Sequence, residues 1–262
     1  MTVSLGSIEQ MFAVYFWPFV RIGALLMVAP VFSASMVAPR VRILIALGLT
    51  MILAPLLALP ESAPSPLSLP GAIVTGQQIV IGVAMGLALQ VVFDALILAG
   101  QATAMSMGLG FAVAIDPQRG VNVPVVSQYF VMLATLVFLS LNGHLLIVQA
   151  LFDSFTALPI AGGGPTRDGL WQLVAFGSTI FEGALRIALP AMISLLIVNL
   201  SFGVISRAAP TLNLFAIGFP LTLTLGFLIM TNTLPGAVNT FIDLLNAAFG
   251  RAASLLTAGA TP

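Results

Sequence analysis

Long uncharged, apolar stretches dominate this chain, and short clusters of proline, glycine, serine and arginine separate them. A membrane-spanning helix needs about 20 apolar residues. The pattern therefore predicts an all-α, polytopic fold of membrane-type helical hairpins, with about six long apolar helices, several of them kinked by proline. The uncharged runs cover residues 22–39, 43–60, 62–93, 95–115, 120–152, 187–206 and 208–242.

The turn signals between these runs set the expected boundaries of the helices. We expect spans at about 11–31, 43–59, 71–101, from 124 onward, 173–205 and 212–230, then an amphipathic tail at 239–256. Asn142-Gly143-His144 interrupts the fourth span; Asn-Gly favours a break or a hairpin, although one long tilted helix also fits. The glycine-rich segment 153–171 is predicted to be a flexible external loop.

Composition narrows the class of protein further. Hydrophobic residues make up 60% of the 262 residues and charged residues only 6%, whereas soluble domains carry about 25% charged residues. Too few polar residues remain to cover a soluble surface, so the chain is expected to contact a lipid membrane. The net charge is zero, which argues against nucleic-acid binding, and without cysteine there is no disulfide framework or thiol chemistry.

The arginines indicate how the spans are oriented. Positively charged loops stay on the cytoplasmic side, and alternation of six crossings places four arginines on that side, with both termini outside: Arg40, Arg42, Arg119 and Arg207. Tyr15 and Trp17 are of the types that favour the membrane interface, so they are candidates for the opposite edge of the first span.

The segment Met105–Pro117 is predicted to be a hinge that lines or closes a pathway. It carries Gly108 and Gly110 between long apolar spans and ends in Asp116-Pro117. Glycine weakens a helix by about 1 kcal/mol relative to alanine, and irregular backbone at membrane depth survives only where protein or water covers it. Met105 and Met107 are either apolar filler or a soft gasket beside the glycines.

A few charges fall within the apolar spans and are candidates for buried charges or subunit contacts. Arg21 either extends outward to the interface or pairs with an acid on another helix. Asp94 must reach water, an arginine or a subunit interface, and a proton relay is a further option. Glu182 and Arg186 share a helix face and either neutralise each other or reach a neighbouring subunit. Arg207 completes this set.

The sequence offers few candidate residues for a catalytic or metal-binding site. His144 is the single histidine and is interpreted as a hydrogen-bonded turn residue. Zincin, nucleophile-elbow and phosphate-loop motifs are absent from the sequence. The prediction is therefore a protein that is not an enzyme and has no catalytic, cofactor-binding or metal-binding residues.

Ten short motifs follow one another in a specific order along nearly the whole chain. They are Tyr15-Phe16-Trp17-Pro18, Ala29-Pro30-Val31-Phe32-Ser33, Pro39-Arg40-Val41-Arg42, Gln77-Gln78, Met107-Gly108-Leu109-Gly110-Phe111, Asp116-Pro117, Asn142-Gly143-His144, Leu158-Pro159, Arg207-Ala208-Ala209-Pro210 and Ile217-Gly218-Phe219-Pro220. This ordered set resembles the FliR family of the flagellar type III export apparatus. The Phe16-Trp17-Pro18 and Gly218-Phe219-Pro220 runs favour the flagellar branch over a virulence-type homologue.

The resemblance implies a non-enzymatic export-gate subunit without cofactors, in the bacterial inner membrane at the flagellar basal body. It implies one copy beside several FliP and FliQ subunits, FlhB and FlhA as further partners, and unfolded flagellar proteins as cargo. It also implies a FliP-like part (1–170) joined to a FliQ-like part (171–262). The family's pore plug would correspond to Met105, Met107, Gly108, Leu109, Gly110, Phe111, Ala112, Val113, Asp116 and Pro117.

Two other functions compete with the export gate. A small-solute secondary transporter would use glycine- and proline-interrupted spans as a binding site at the middle of the membrane, and it would work without FliP and FliQ. A purely structural scaffold would tolerate replacement of the hinge by an apolar helix of equal length. The family resemblance favours the gate.

Overall fold

A computed structural model describes residues 5–33, 37–57, 64–109, 125–208 and 214–257. These residues form helices and turns, without a β-strand among them, which confirms the all-α prediction. A short 3-10 helix, Ala54–Leu56, directly follows the second α-helix. The α-helices are α1 (Leu5–Val28), α2 (Pro39–Leu53), α3 (Leu69–Ser106), α4 (Val125–Ser140), α5 (Gly143–Ala157), α6 (Arg167–Phe176), α7 (Thr179–Ala208) and α8 (Leu214–Thr257).

The chain forms two compact units, each made of segments that are distant in sequence. The first contains Met1–Val91, Leu141–Gly177 and Asn246–Pro262, and the second contains Val92–Ser140 and Ser178–Leu245. Helix α3 contributes its first part to one unit and its last part to the other. The proposed FliP-like and FliQ-like parts are a different division, and that division stays a prediction.

Two glycines on one face of α3 hold the first unit together by letting α1 approach closely. A methyl group added at Gly82 would lie 2.9 Å from Cβ of Ala24, and one added at Gly86 would lie 2.9 Å from Cβ of Val28. Real Cβ atoms do not come this close, so α1 can occupy its position only because both side chains are missing. The four-residue spacing of Gly82 and Gly86 is the small-xxx-small pattern at which helices in membranes approach closely.

Aromatic packing and a hydrogen bond between two helices build the core of the other unit. The ring of Phe93 on α3 meets Phe138 on α4 and Phe241 on α8 edge-on, with centroid distances of 6.1 and 5.6 Å. Edge-to-face pairs of this kind add to the burial of apolar area. The hydroxyl of Ser127 donates to the carbonyl of Ile97 at 2.9 Å, which ties α4 to α3.

The number of long apolar helices is lower than the six spans that the sequence predicts. Four helical segments of the described residues are long and apolar enough to cross a membrane, or five if the bent pair α4 and α5 forms one span. The break between that pair, at Leu141 and Asn142, confirms the interruption predicted there. The part of α1 whose side chains are described, Phe12–Val28, is shorter than the first predicted span and is not among these four segments.

Two predicted boundaries are wrong. The predicted loop 153–171 is shorter than expected and covers only residues 158–166, since α5 continues to Ala157 and α6 begins at Arg167. The predicted tail 239–256 is not separate either, because α8 runs unbroken through Pro220 and Pro235. Polar side chains near these prolines bond to carbonyls of their own helix, as Thr224 does to Pro220 and Thr231 to Leu228, so they need no other partner.

The helices differ strongly in how much of their apolar surface the chain itself covers. In the most apolar stretch of α3, 61% of the residues are buried, whereas the corresponding value is 22% for α2 with its 3-10 turn, for α6 with α7, and for α8. Among these four segments, α3 is therefore the one that the chain itself covers most, and the other three present apolar faces to their surroundings.

Candidate functional site

Arg21 on α1 is completely buried, and its guanidinium binds two separate parts of the first unit, α3 and the end of α5. Its Nε donates to Oε1 of Gln78 at 2.8 Å, its Nη1 to the carbonyl of Ser154 at 2.8 Å, and its Nη2 to the carbonyl of Leu158 at 2.8 Å. The hydroxyl of Ser154 is also within 3.1 Å of Nη1. The ring of Phe155 lies 4.2 Å from the guanidinium carbon, close enough for a cation–π interaction.

The acceptors explain how a buried cation is tolerated here without a carboxylate. Ser154 lies in the last turn of α5 and Leu158 is its C-terminal cap residue. The last carbonyls of a helix lack partners within the helix and carry about half a negative charge in total. The carbonyl of Ser154 already accepts the amide of Leu158 at 3.0 Å, so Arg21 gives it a second hydrogen bond and also donates to the carbonyl of Leu158. In return, both carbonyls stabilise the charge of Arg21.

Neither sequence-based interpretation of Arg21 describes this arrangement. The side chain is 0% exposed, so it does not extend to the membrane interface, and its hydrogen-bond acceptors are neutral oxygens instead of an acid. The hydrogen-bond partners of Arg21 are not predicted by the sequence either. Gln78 stood out as part of a Gln-Gln pair in an apolar span, which is a usable signal, but nothing near Ser154 or Leu158 in the sequence marks them as arginine ligands.

Trp17, one turn before Arg21, is likewise buried and does not face the membrane interface. Its Nε1 donates to the hydroxyl of Thr75 on α3 at 3.2 Å. Of the two predicted interfacial aromatics, Tyr15 is the exposed one, with 45% of its surface accessible.

The predicted plug begins at a well-defined helix end. Helix α3 stops at Ser106, and Gly108 has φ +82°, in the left-handed region. The amide of Gly108 donates to the carbonyl of Met105 at 3.1 Å, and the amide of Leu109 donates to the carbonyl of Ala104 at 3.0 Å. This pair of bonds around a left-handed glycine is a Schellman cap. Gly108 thus terminates α3 and fixes the direction in which the chain leaves it.

Met107 anchors this helix end against α8. Its side chain is 0% exposed and lies across Gly226, where an added methyl group would be 2.7 Å from Cε and 2.8 Å from Cγ of Met107. The ring of Phe219 lies 3.6 Å from where a side chain at Gly108 would begin. We call Met107, Gly108, Phe219 and Gly226 the plug root.

The two methionines before the glycine therefore differ in their surroundings. Met107 is packed in the plug root, whereas Met105 is 71% exposed. Leu109 is partly exposed. The remaining residues of the predicted plug lie outside the described residues: Gly110, Phe111, Ala112, Val113, Asp116 and Pro117.

The other predicted charges all belong to the second unit. Glu182 and Arg186 form an ion pair of 2.6 Å within α7, and their side chains are 57% and 60% exposed. Asp94 is half-buried in α3 and takes part in a polar or electrostatic interaction. Arg207 is exposed in the last turn of α7. His144 lies in the first turn of α5, and its Nδ1 is buried without a hydrogen bond to any described residue.

Comparison with known proteins identifies the family. Residues 12–248 match the family described as bacterial export proteins, family 1. The chain is 40% identical over 221 residues to the flagellar biosynthetic protein FliR of Escherichia coli (strain K12), covering 84% of each chain. It is 39% identical over 243 residues to FliR of Pectobacterium carotovorum subsp. carotovorum, covering 93% of this chain and 92% of the relative. The chain belongs to the FliR family.

More distant FliR proteins also match over most of their length. FliR of Bacillus subtilis (strain 168) is 26% identical over 229 residues, which is 86% of this chain and 88% of the relative. As a FliR protein, the chain is a non-enzymatic component of the flagellar export apparatus in the inner membrane, which agrees with its apolar helices. The family resemblance seen in the ordered motifs is thereby confirmed.

The first prediction concerns the guanidinium of Arg21. Replacing it by Lys keeps the charge, but a single ammonium cannot reach the same three groups, and buried carbonyls without a partner cost about 1–3 kcal/mol each. We expect Arg21→Lys and Arg21→Met both to lower the thermal stability of this FliR protein in detergent markedly. Arg186→Lys is the matched control, since an exposed pair contributes at most about 1 kcal/mol. Wild-type stability of the Arg21→Lys protein would contradict the assigned role.

The second prediction uses the absence of native cysteine. In the chain purified without partners, the thiol of Met107→Cys should react slowly with a water-soluble maleimide, while that of Met105→Cys should react fast. Adding Gly108→Ala places alanine at positive φ, at a cost of about 1–2 kcal/mol, which corresponds to roughly tenfold faster labelling of position 107.

The control for the same experiment is Gly76→Ala in α3, where an added methyl group meets no atom within 4 Å. This change should leave labelling at position 107 unaltered. If Gly108→Ala also left it unaltered, the cap would not be what holds Met107 in place.

Proposed function

We propose that this chain helps to form the type III export gate, the pore through which unfolded flagellar proteins leave the cytoplasm. In this proposal one copy assembles with several FliP and FliQ subunits, and FlhB and FlhA bind the assembled gate. Residues 105–117 form the plug of the closed channel. The FliP-like part, 1–170, and the FliQ-like part, 171–262, are the portions that match the two kinds of partner.

The observation that supports the plug best is the anchored plug root. A segment that blocks a pore must be held firmly at its base, or it would diffuse out of the channel. Met107 is locked over Gly226, and the Schellman cap at Gly108 ends α3 immediately afterwards. The root therefore fixes the point at which the proposed plug begins.

The lengths of the helices support an assembly that is more than a simple bundle in the bilayer. Helix α3 has 38 residues and α8 has 44, which at 1.5 Å per residue correspond to about 57 and 66 Å. The hydrocarbon core of a bilayer is only about 30 Å thick. Part of each helix must therefore lie beyond the lipid or lie steeply tilted within a larger complex.

A polar stripe on α8 indicates where a partner subunit binds. Asn232, Gly236, Asn239 and Asp243 are all exposed and lie on one face of the helix, at alternating spacings of four and three residues. Asparagine and aspartate in contact with lipid are unfavourable, whereas small and amide-bearing residues promote helix association in membranes. The 3.5-residue period is the one at which two helices pack side by side over many turns.

The third prediction tests the plug in the assembled gate. Since Gly108 caps α3, the deletion should start after Leu109, so that the plug is removed while its root remains. Deleting residues 110–115 should make vesicles that contain the purified gate leak ions, measured as dissipation of an imposed potential. Replacing the same residues by six alanines tests the scaffold alternative.

The outcomes of these experiments distinguish a plugged gate, a solute transporter and a structural scaffold. A leaking deletion variant that still contains FliP and FliQ supports the plug. An ion-tight deletion variant refutes the plug, and a chain that transports a small solute without FliP and FliQ refutes the gate. If the alanine variant is as tight and as active in export as wild type, the segment is merely a spacer.

The fourth prediction concerns the polar stripe. Asn239→Leu should reduce the amount of FliP and FliQ that co-purifies with the chain, since it removes an amide from the packed face. If the stripe faced lipid, the same change would increase stability instead, because leucine is favourable there. Phe227→Leu, a change at a 49% exposed position of α8 outside the face of the stripe, is the control and should leave co-purification unchanged.

A further inference from the structure

An aromatic groove lies between α1 and α2 in the first unit. It has a volume of about 800 Å³ and is lined by Phe12, Tyr15, Phe16, Phe19, Leu47, Thr50 and Met51. Several lining side chains are open to the surroundings, with 53% exposure for Phe12 and 68% for Met51. The rings of Phe12 and Phe16 stack with their centroids 5.2 Å apart.

The chemistry of the lining favours a hydrocarbon chain over a packed protein helix. The hydroxyl of Thr50 donates to the carbonyl of Ala46 at 2.6 Å and so offers no free donor to the groove. Helices that pack tightly in membranes meet at small residues, as α1 and α3 do at Gly82 and Gly86. The groove lining contains no glycine, alanine or serine, and its large aromatic and thioether side chains leave an irregular space instead.

A positive charge stands at one end of the same surface. Arg40 is exposed in the first turn of α2, and on its face of the helix follow Leu44, Leu47 and Met51, which are 67%, 40% and 68% exposed. Within the described part of the chain, Arg40 has no ion-pair or hydrogen-bond partner. An apolar track thus connects this cation with the groove.

The distances along this track match one leaflet of a membrane. At 1.5 Å per residue, Leu47 lies about 10 Å and Met51 about 16 Å beyond Arg40. One leaflet contributes about half of a hydrocarbon core of roughly 30 Å. If Arg40 lies at headgroup level, the groove opens at the depth where an acyl chain ends.

We propose that the α1–α2 surface is a binding site for an anionic phospholipid. Arg40 binds the phosphate, Leu44 and Leu47 contact the upper part of an acyl chain, and the aromatic groove receives its end. Basic residues at the cytoplasmic ends of membrane helices attract anionic headgroups, and the positive-inside rule places Arg40 on that side. The inference requires only that α2 lies in the membrane, and it does not depend on the plug.

The test measures retained lipid directly. The full chain is co-purified with FliP and FliQ, exchanged into detergent with phosphatidylglycerol or phosphatidylcholine of identical acyl chains, and analysed by native mass spectrometry. The wild-type complex should retain phosphatidylglycerol better than phosphatidylcholine. Arg40→Gln should weaken retention of phosphatidylglycerol about fivefold, the loss expected for one basic residue at an anionic surface, and leave that of phosphatidylcholine unchanged.

A second variant tests the groove itself. Leu47→Trp fills the track and should lower retention of phosphatidylglycerol, whereas the controls Arg251→Gln and Leu136→Trp alter an exposed arginine of α8 and a 60% exposed leucine of α4 and should retain wild-type amounts. Equal retention of both lipids by wild type, or unchanged retention in Arg40→Gln and Leu47→Trp, would overturn the site.

One further outcome assigns the surface to a protein. If Leu47→Cys cross-links to FliP or FliQ in the complex and no lipid is retained there, a partner helix occupies the groove and the lipid proposal is wrong. The same samples report FliP and FliQ, so a failure of the lipid site is distinguishable from a failure of the gate. In the first case the partners are still recovered with wild type, and in the second they are not.

Discussion

The buried guanidinium of Arg21 is the interaction on which the first unit depends. A cation without water around it is unfavourable unless its donors are matched, and here the match comes from an amide on α3 and from the carboxyl end of α5. These groups lie 57 to 137 residues away in sequence. One side chain therefore fixes α1, α3 and α5 relative to each other, and it does so only when all three are in place.

Other helices of the chain have surfaces that the chain itself leaves uncovered. Helix α3 is largely covered, whereas α2, α7 and α8 expose long apolar faces together with polar groups such as Asn239 and the Glu182–Arg186 pair. Lipid can cover the apolar faces, but it offers the polar groups no hydrogen bonds. Lipid therefore covers only the apolar part of this surface. Exposed polar groups beside apolar faces are expected in a subunit that packs against other proteins in the membrane.

Much of the fold could be predicted from the sequence, because apolar runs, prolines and Asn-Gly report local structure. The helical class, the break at Asn142 and the close approach at Gly82 are visible in this way. The ligands of Arg21 could not be predicted, since no local pattern marks Ser154 or Leu158 as its partners. The continuity of α8 was also missed, because a proline such as Pro235 signals a helix end even where the surrounding packing preserves the helix.

Gly108 has a structural role that the interpretation of its segment as a hinge does not include. Its glycine suggested a hinge, yet its amide and that of Leu109 are both bonded to the last turn of α3, and Met107 beside it is enclosed. Bending at Gly108 would break the cap and expose Met107. A hinge in the segment 105–117 is therefore not expected at Gly108, which belongs to the fixed end of α3.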